Sequence, residues 1–477
     1  MTRARYLLVS FAFGCILALT GCPPRMPGDG TCDLADPACV DGLVCEALAD
    51  GTGGLCSAAL VIEGQVVDIT DDGPIAGALV QAVDVNGAAV GTTAETDADG
   101  GFTLTVPAVR NVDGVPVEGS YTLRVQAARY QEFPTAIRPA LPLDASTAAE
   151  VDDAWLIENP LTTVKLIPLP GDTSGLGSIS GAILADPNSG LLVVAEGAGT
   201  ALTGFSDGDG VYTIFNVPAG TFTVKGYRAG VQLDPATTTL VAGEGKTGVD
   251  LAASAAALSA VSGNIQIVNA PGGSVTSVVL AVESTFVEAA GRGKVPPGLR
   301  AGGITGDFTI ENVPDGSYVV LAAFENDNLV RDPDQTIGGT ATVRIEVPDP
   351  GTGNTITLPE GFKVTEALAV VGPGADGPEE VFTATPTLSW ADDSSEDGYE
   401  IRVFDTFGNL IWSDEVGPVT GSAAVTHDYA GPPLELGMFY QFRATSFRER
   451  NGPRTAISRT EDLKGVFFHL GNPPPTP

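Results

Sequence analysis

From Leu60 onward the chain runs in short stretches where apolar and polar residues alternate, each closed by Gly, Pro or Asp. A period of two marks a strand with one face in a core and the other in water. The 3.6-residue period of a helix is nearly absent. The predicted fold class is therefore all-β, as tandem antiparallel sandwiches. The stretches also recur. IFNVPAGTFTV at 214–224 returns as IENVPDGSYVV at 310–320, and a more divergent copy runs through 102–107 and resumes, after an insertion, at 119–123. Each copy opens with an alternating strand that contains Gly: VIEGQVV from Val61, SISGAIL from Ser178 and AVSGNIQI from Ala260. A second apolar strand follows at 78–83, 191–195 and 278–282. Three copies of one domain are expected, over 59–172, 173–254 and 255–349.

Within a copy the residues have separate tasks. Asp97-Ala98-Asp99-Gly100 and Asp207-Gly208-Asp209-Gly210 are turn sequences, and each leads into an aromatic residue, Phe102 or Tyr212, expected to face the core. In the V-P-x-G-x-[FY] segment that follows, Pro ends one strand because it has no N–H for the ladder, Gly220 or Gly316 is expected to turn the chain, and Phe222 or Tyr318 begins the next strand. This order resembles the carboxypeptidase regulatory-like domain, which implies a seven-stranded sandwich of transthyretin-like topology, grouped with carbohydrate-binding-like folds. The resemblance covers about 60–350. It speaks to fold far more than to function.

The segment 346–355, EVPDPGTGNT, reads as a linker, and strands beyond it are longer. Pro386-Thr387-Leu388-Ser389-Trp390, the strand around Tyr399 to Phe404, and Phe439-Tyr440-Gln441-Phe442 resemble strands of a fibronectin type III domain, placed at 350–471. That resemblance implies a core role for Trp390 and a corner tie for Tyr440. Trp412 falls on the next strand. The tail 472–477, NPPPTP, cannot join a sheet interior.

Ahead of the strands, Arg3 and Arg5 precede an uncharged apolar run over 6–19, the form of a secretory signal. It closes on Leu19-Thr20-Gly21-Cys22, which resembles the lipobox of bacterial lipoproteins. The resemblance implies cleavage after residue 21, a lipid on Cys22, and membrane attachment; Pro23 in place of Asp favours the outer membrane over the inner. Otherwise Cys22 belongs to an ordinary secreted protein and enters a disulfide. In the spacer 22–58, Cys32, Cys39, Cys45 and Cys56 form an even, dense set for an oxidising compartment, expected to close two disulfides in one of three pairings. Their spacings do not fit zinc.

The composition narrows the function. With 59 acidic against 24 basic residues and a net charge of −35, the surface repels nucleic acid, which is excluded as a partner. Only His427 and His469 are available for acid–base or metal chemistry, and no H-E-x-x-H or G-x-S-x-G motif is present. Gly243-Glu244-Gly245-Lys246-Thr247 ends like a phosphate loop but lacks its first Gly. Asp97 with Asp99, and Asp207 with Asp209, have the spacing of the first ligands of a calcium loop without its closing Glu, so plain turns are the stronger reading. No enzyme activity and no cofactor are expected. The expected protein is an envelope lipoprotein holding rigid β-domains in a row for adhesion, scaffolding or protein binding. The alternative is polysaccharide binding for glycan uptake or degradation, to be told by aromatic clusters on a sheet face.

Overall fold

The computed structural model describes residues 30–471, apart from 36–38, 40–42, 85–88, 136, 152–153, 289–290, 324–326, 394, 420, 422, 450–451 and 453. The apolar leader, Cys22 and the tail 472–477 lie outside the described residues. Among those described, the ordered elements are strands and three short 3-10 turns. No helix is long and apolar enough to cross a membrane.

The three copies share one strand topology. In each, the opening strand pairs antiparallel with the strand that follows the Asp turn and parallel with strands that close the unit. Leu60–Asp68 lies between Gly101–Val106 on one side and Ala154–Ile157 with Thr163–Leu166 on the other. Gly177–Leu184 lies between Val211–Val217 and the short strands Gly245–Lys246 and Leu251–Ala252. Ser259–Val268 lies between Asp307–Val313 and the pair Thr355–Thr357 and Phe362–Glu366. The opposing four-stranded sheet is centred on Leu79–Val83 with Ser120–Gln126, on Leu192–Gly197 with Gly220–Tyr227, and on Thr276–Val282 with Gly316–Ala322. Phe102, Tyr212 and Phe308 are all buried, as the alternation requires.

Two expectations about organisation are corrected. The third unit does not stop at 349. Its parallel closing strands need a return crossover, so pairing continues to Glu366, and the expected linker holds a turn in which Asp349 accepts the N–H of Gly351 and Thr352. Nor do the units stand in a row. Leu192, Val194 and Tyr227 of the second belong to the apolar core of the third. The fourth packs back onto the first: Gln131 and Thr406 exchange two hydrogen bonds, and the Arg138 guanidinium lies over both Phe133 and Phe439. The fourth unit itself pairs Thr387–Ala391 with Ala424–Asp428 and packs them on a sheet built around Gly398–Asp405 and Phe439–Arg448.

Candidate functional site

The four cysteines form the pairs Cys32–Cys45 and Cys39–Cys56. They staple a small sheet, Thr31–Cys32, Gly54–Ala58 and Leu43–Ala47. This module is not a free spacer. The insertion in the first copy forms a hairpin, Val109–Arg110 with Pro116–Glu118, that grips it. Arg110 is fully buried and its Nε donates to Glu46 Oε2, while Nη2 donates to the Ala58 carbonyl at 2.8 Å. Glu46 Oε1 accepts the Ala108 N–H at 2.7 Å, and the Ala49 N–H reaches the Arg110 carbonyl. Burial raises the Glu46 carboxyl above its ordinary value, with Arg110 opposing the rise. An ion pair this dry holds two surfaces in one register, because removing either partner strands a buried charge.

The aspartate turns are wired internally. Asp97 Oδ1 accepts the N–H of Asp99 and of Gly101, and Asp207 Oδ1 accepts those of Asp209 and Val211. Those bonds fix a turn. Among the described residues, neither pair gathers a third carboxylate close enough to share an ion. Gly245 and Lys246, from the stretch that resembles a phosphate loop, lie on a strand, and Lys246 pairs with Glu244 at 3.7 Å.

The strongest repeat in the sequence turns out to be a joint between units. In the second and third copies the strand before Val-Pro carries one residue more than in the first, and the register shifts there. Phe215 and Asn216 oppose the single residue Ser178; Glu311 and Asn312 oppose Ala260. The extra Asn takes a left-handed conformation, with φ of 63° at Asn216 and 58° at Asn312. In the first copy, Leu60 to Ile62 pair with Val106 to Leu104 without a shift. Such a bulge bends the strand and aims the residue outward. Asn216 Oδ1 accepts the Arg129 N–H at 2.5 Å, and Nδ2 donates to the carbonyls of Ala127 and Tyr130 at 3.3 and 2.9 Å. In the next joint, the Gly230 N–H reaches the Asn312 carbonyl at 2.8 Å. Arg129 and Gly230 occupy the same place in their copies and both have positive φ, 71° and 84°. The Asn is thus present where a copy precedes and absent in the first. That signal was in the sequence, in the one-residue difference before Val-Pro, and was missed.

Gly220 and Gly316, expected to be the turning residues, differ. Gly220 has φ of 155°, a backbone that L side chains rarely adopt, as expected of it, whereas Gly316 has no positive φ. Instead, a Cβ on Gly316 would lie 2.8 Å from the ring of Tyr227 in the preceding unit. It is a residue of the joint.

Between the first three units lies a cavity of about 400 Å³ lined by Tyr130, Glu132, Thr203, Phe215 and Lys294, with Phe407 of the fourth at its edge. Lys294 pairs with Glu132, and Arg124 stands over the Phe205 ring at 3.4 Å. Burial, then Arg124, pushes the Lys294 amine down to about 8.

Trp390 is fully buried and meets Tyr399 edge-on at 5.5 Å. The Tyr440 hydroxyl accepts the Glu435 N–H at 2.7 Å. Trp412 stacks on His427 at 5.8 Å, and His427 Nε2 lies 2.9 Å from Asp414 Oδ2; His469 is buried.

No protein-family model matches the chain, and no curated protein matches it. Among solved structures it is similar to the Bacillus anthracis TIE protein, at 12% identity over 87% of this chain and 74% of that one, with a TM-score of 0.16. It is also similar to a Streptococcal ancillary pilin, at 11% identity over 64% and 98% with a TM-score of 0.16. The major pilin subunit of Bacillus cereus gives 13% identity over 63% and 99%, with a TM-score of 0.15. At these values the likenesses carry no argument about activity, ligand or assembly.

Proposed function

We propose that this chain is a non-catalytic envelope scaffold, anchored through a lipid on Cys22, whose sandwiches are locked together to present one rigid surface to protein partners. The observation that carries the reading is the repeated Asn joint, which spends the most recurrent motif on fixing one unit against the next. The cystine module extends this rigidity toward the anchor. Eight residue steps run from Cys22 to Gly30, a reach of at most roughly 28 Å, so the cystine module stays close to the bilayer.

Polysaccharide binding is the weaker reading, because Phe382 alone represents the aromatics among the exposed large apolar side chains that are described, and no Trp or Tyr does. The two histidines also support a scaffold, one occupied by Asp414 and Trp412 and the other buried. The test is a glycan array run beside in-cell crosslinking with the full chain. Specific envelope proteins with a silent array are expected. Saturable binding to one glycan class, lost on mutating a surface aromatic, would replace the scaffold reading with the carbohydrate one.

A further inference from the structure

The chain leaves the fourth unit at a fixed point. Val466–His469 lies between Glu379–Val381, which runs parallel to it, and Phe439–Arg448. The Leu470 N–H donates to the Val381 carbonyl at 3.0 Å, and the His469 carbonyl accepts the Gly437 N–H at 2.6 Å. Gly471 then takes φ of 76°, a left-handed turn out of the strand, with Leu436 so close that a Cβ on Gly471 would lie 2.9 Å from Leu436 Cδ2. Beside this exit, Glu379–Val381 is the outermost of the described strands in its sheet, and the residues around it border a groove of about 380 Å³. Val371, Pro373, Val381, Phe382, Thr383 and Pro386 line it.

The groove is an apolar place in an acidic chain. Five large apolar side chains of the fourth unit are exposed among the described residues, and four of them, Val371, Phe382, Leu436 and Leu470, lie in the groove or at the exit. A patch of this kind marks a surface that something covers. What emerges beside it is Asn472-Pro473-Pro474-Pro475-Thr476-Pro477. Four of these six residues are Pro, so the segment has too few N–H groups to extend the sheet edge as a strand. Each Pro fixes its own φ near −65° and biases the residue before it toward extended backbone. Such a sequence favours polyproline II, about 3.1 Å per residue or roughly 19 Å over six. The groove begins one strand away from Leu470, about 5 Å, so the segment spans the distance with length to spare. Proline rings have almost no side-chain entropy to lose, and aromatic-lined grooves take such segments for that reason. The segment has no charged side chain, so Glu379 at the groove does not repel it.

We propose that this groove is a binding site for a polyproline segment, and that the segment it holds is 472–477 of the same chain. Phe382 supplies its aromatic wall and Val371 an aliphatic one. Seated there, the tail covers the apolar patch at the end of the fourth unit, and a proline-rich segment of another chain enters only by displacing it. The site is independent of the scaffold reading, since it needs neither a lipid nor an outside partner.

The test is fluorescence anisotropy of a labelled NPPPTP peptide with two full chains in neutral detergent, the native one and Pro473→Ser/Pro474→Ser/Pro475→Ser, which keeps the length of the tail and gives up its rings. A tethered segment competes at roughly millimolar effective concentration. Saturable binding to the triple variant is therefore expected, with the native chain binding about tenfold or more weakly. Adding Phe382→Ser or Val371→Ser to the triple variant should abolish binding; both side chains are exposed, so the fold tolerates the change. No binding to the triple variant, equal binding to both chains, or binding unchanged by Phe382→Ser and Val371→Ser overturns the site. A native chain that sediments as a dimer while the triple variant sediments as a monomer puts the tail in the groove of a second copy and overturns the intramolecular assignment.

Discussion

Asn216 and Asn312 share a backbone conformation but use different atoms to make their joints. Asn216 spends its side chain on three hydrogen bonds to the first unit, whereas Asn312 offers its main-chain carbonyl to Gly230. Asn216→Gly keeps the left-handed conformation and loses the bonds, at about 0.5–1.5 kcal/mol each, so a loss of about 2–3 kcal/mol is expected. Asn312→Gly should be nearly neutral, and Asn312→Ala should cost about 1–2 kcal/mol through its positive φ. Chemical denaturation of the four chains checks this. Equal losses at the two glycine variants would sink the distinction between side-chain and main-chain joints. Gly316→Val belongs to the same scale. Its Cβ meets Tyr227 across the joint, so a loss of about 1–3 kcal/mol should lower the melting of the second and third units together.

Among elements, the hairpin inserted in the first copy is the part whose purpose sequence could not show. It buries Arg110 against Glu46, and Arg110→Met should detach or unfold the cystine module at a cost of about 3–5 kcal/mol. The double variant Arg110→Met/Glu46→Gln should recover much of the loss, which limited proteolysis between Ala58 and Leu60 would report. The loop carrying Glu461 makes a pH prediction. Burial, and to a smaller degree Asp327, raise this carboxyl above the ordinary 4.5. The folded form therefore holds its proton longer than the unfolded chain. The stabilisation from that protonation is complete below 4.5 and lost as pH rises through the raised value. Melting temperature should fall with rising pH more steeply in the native chain than in Glu461→Gln, and identical slopes would refute the assignment.

For the whole molecule, the contact between first and fourth units decides whether the chain is a rod or a closed cluster. Gln131→Ala combined with Arg138→Glu should open it, and small-angle scattering should then show a larger radius of gyration with the sandwiches intact. An unchanged radius would place the closure elsewhere. Anchoring is tested at the same scale: Cys22→Ser should leave the protein in the aqueous phase of a detergent partition or block its processing.

Strand period, the three copies, the buried aromatic after each Asp turn and the presence of two disulfides were legible from residue order, because each is set by neighbours a few positions apart. Trp412 on the strand Leu410–Val416 was legible for the same reason, whereas the core place of Trp390 was what the fibronectin type III resemblance implied. The disulfide pairing, the Glu46–Arg110 clamp and the return of the fourth unit onto the first join residues up to 275 positions apart. One clue to the packing was present. The unbroken apolar run Val278 to Val282 shows no alternation because both faces of its sheet are covered, and the structure buries every residue of Thr276–Val282. Periodicity thus records that a face is covered. What covers it is decided only when distant segments compete for the same surface, which is a property of the folded chain.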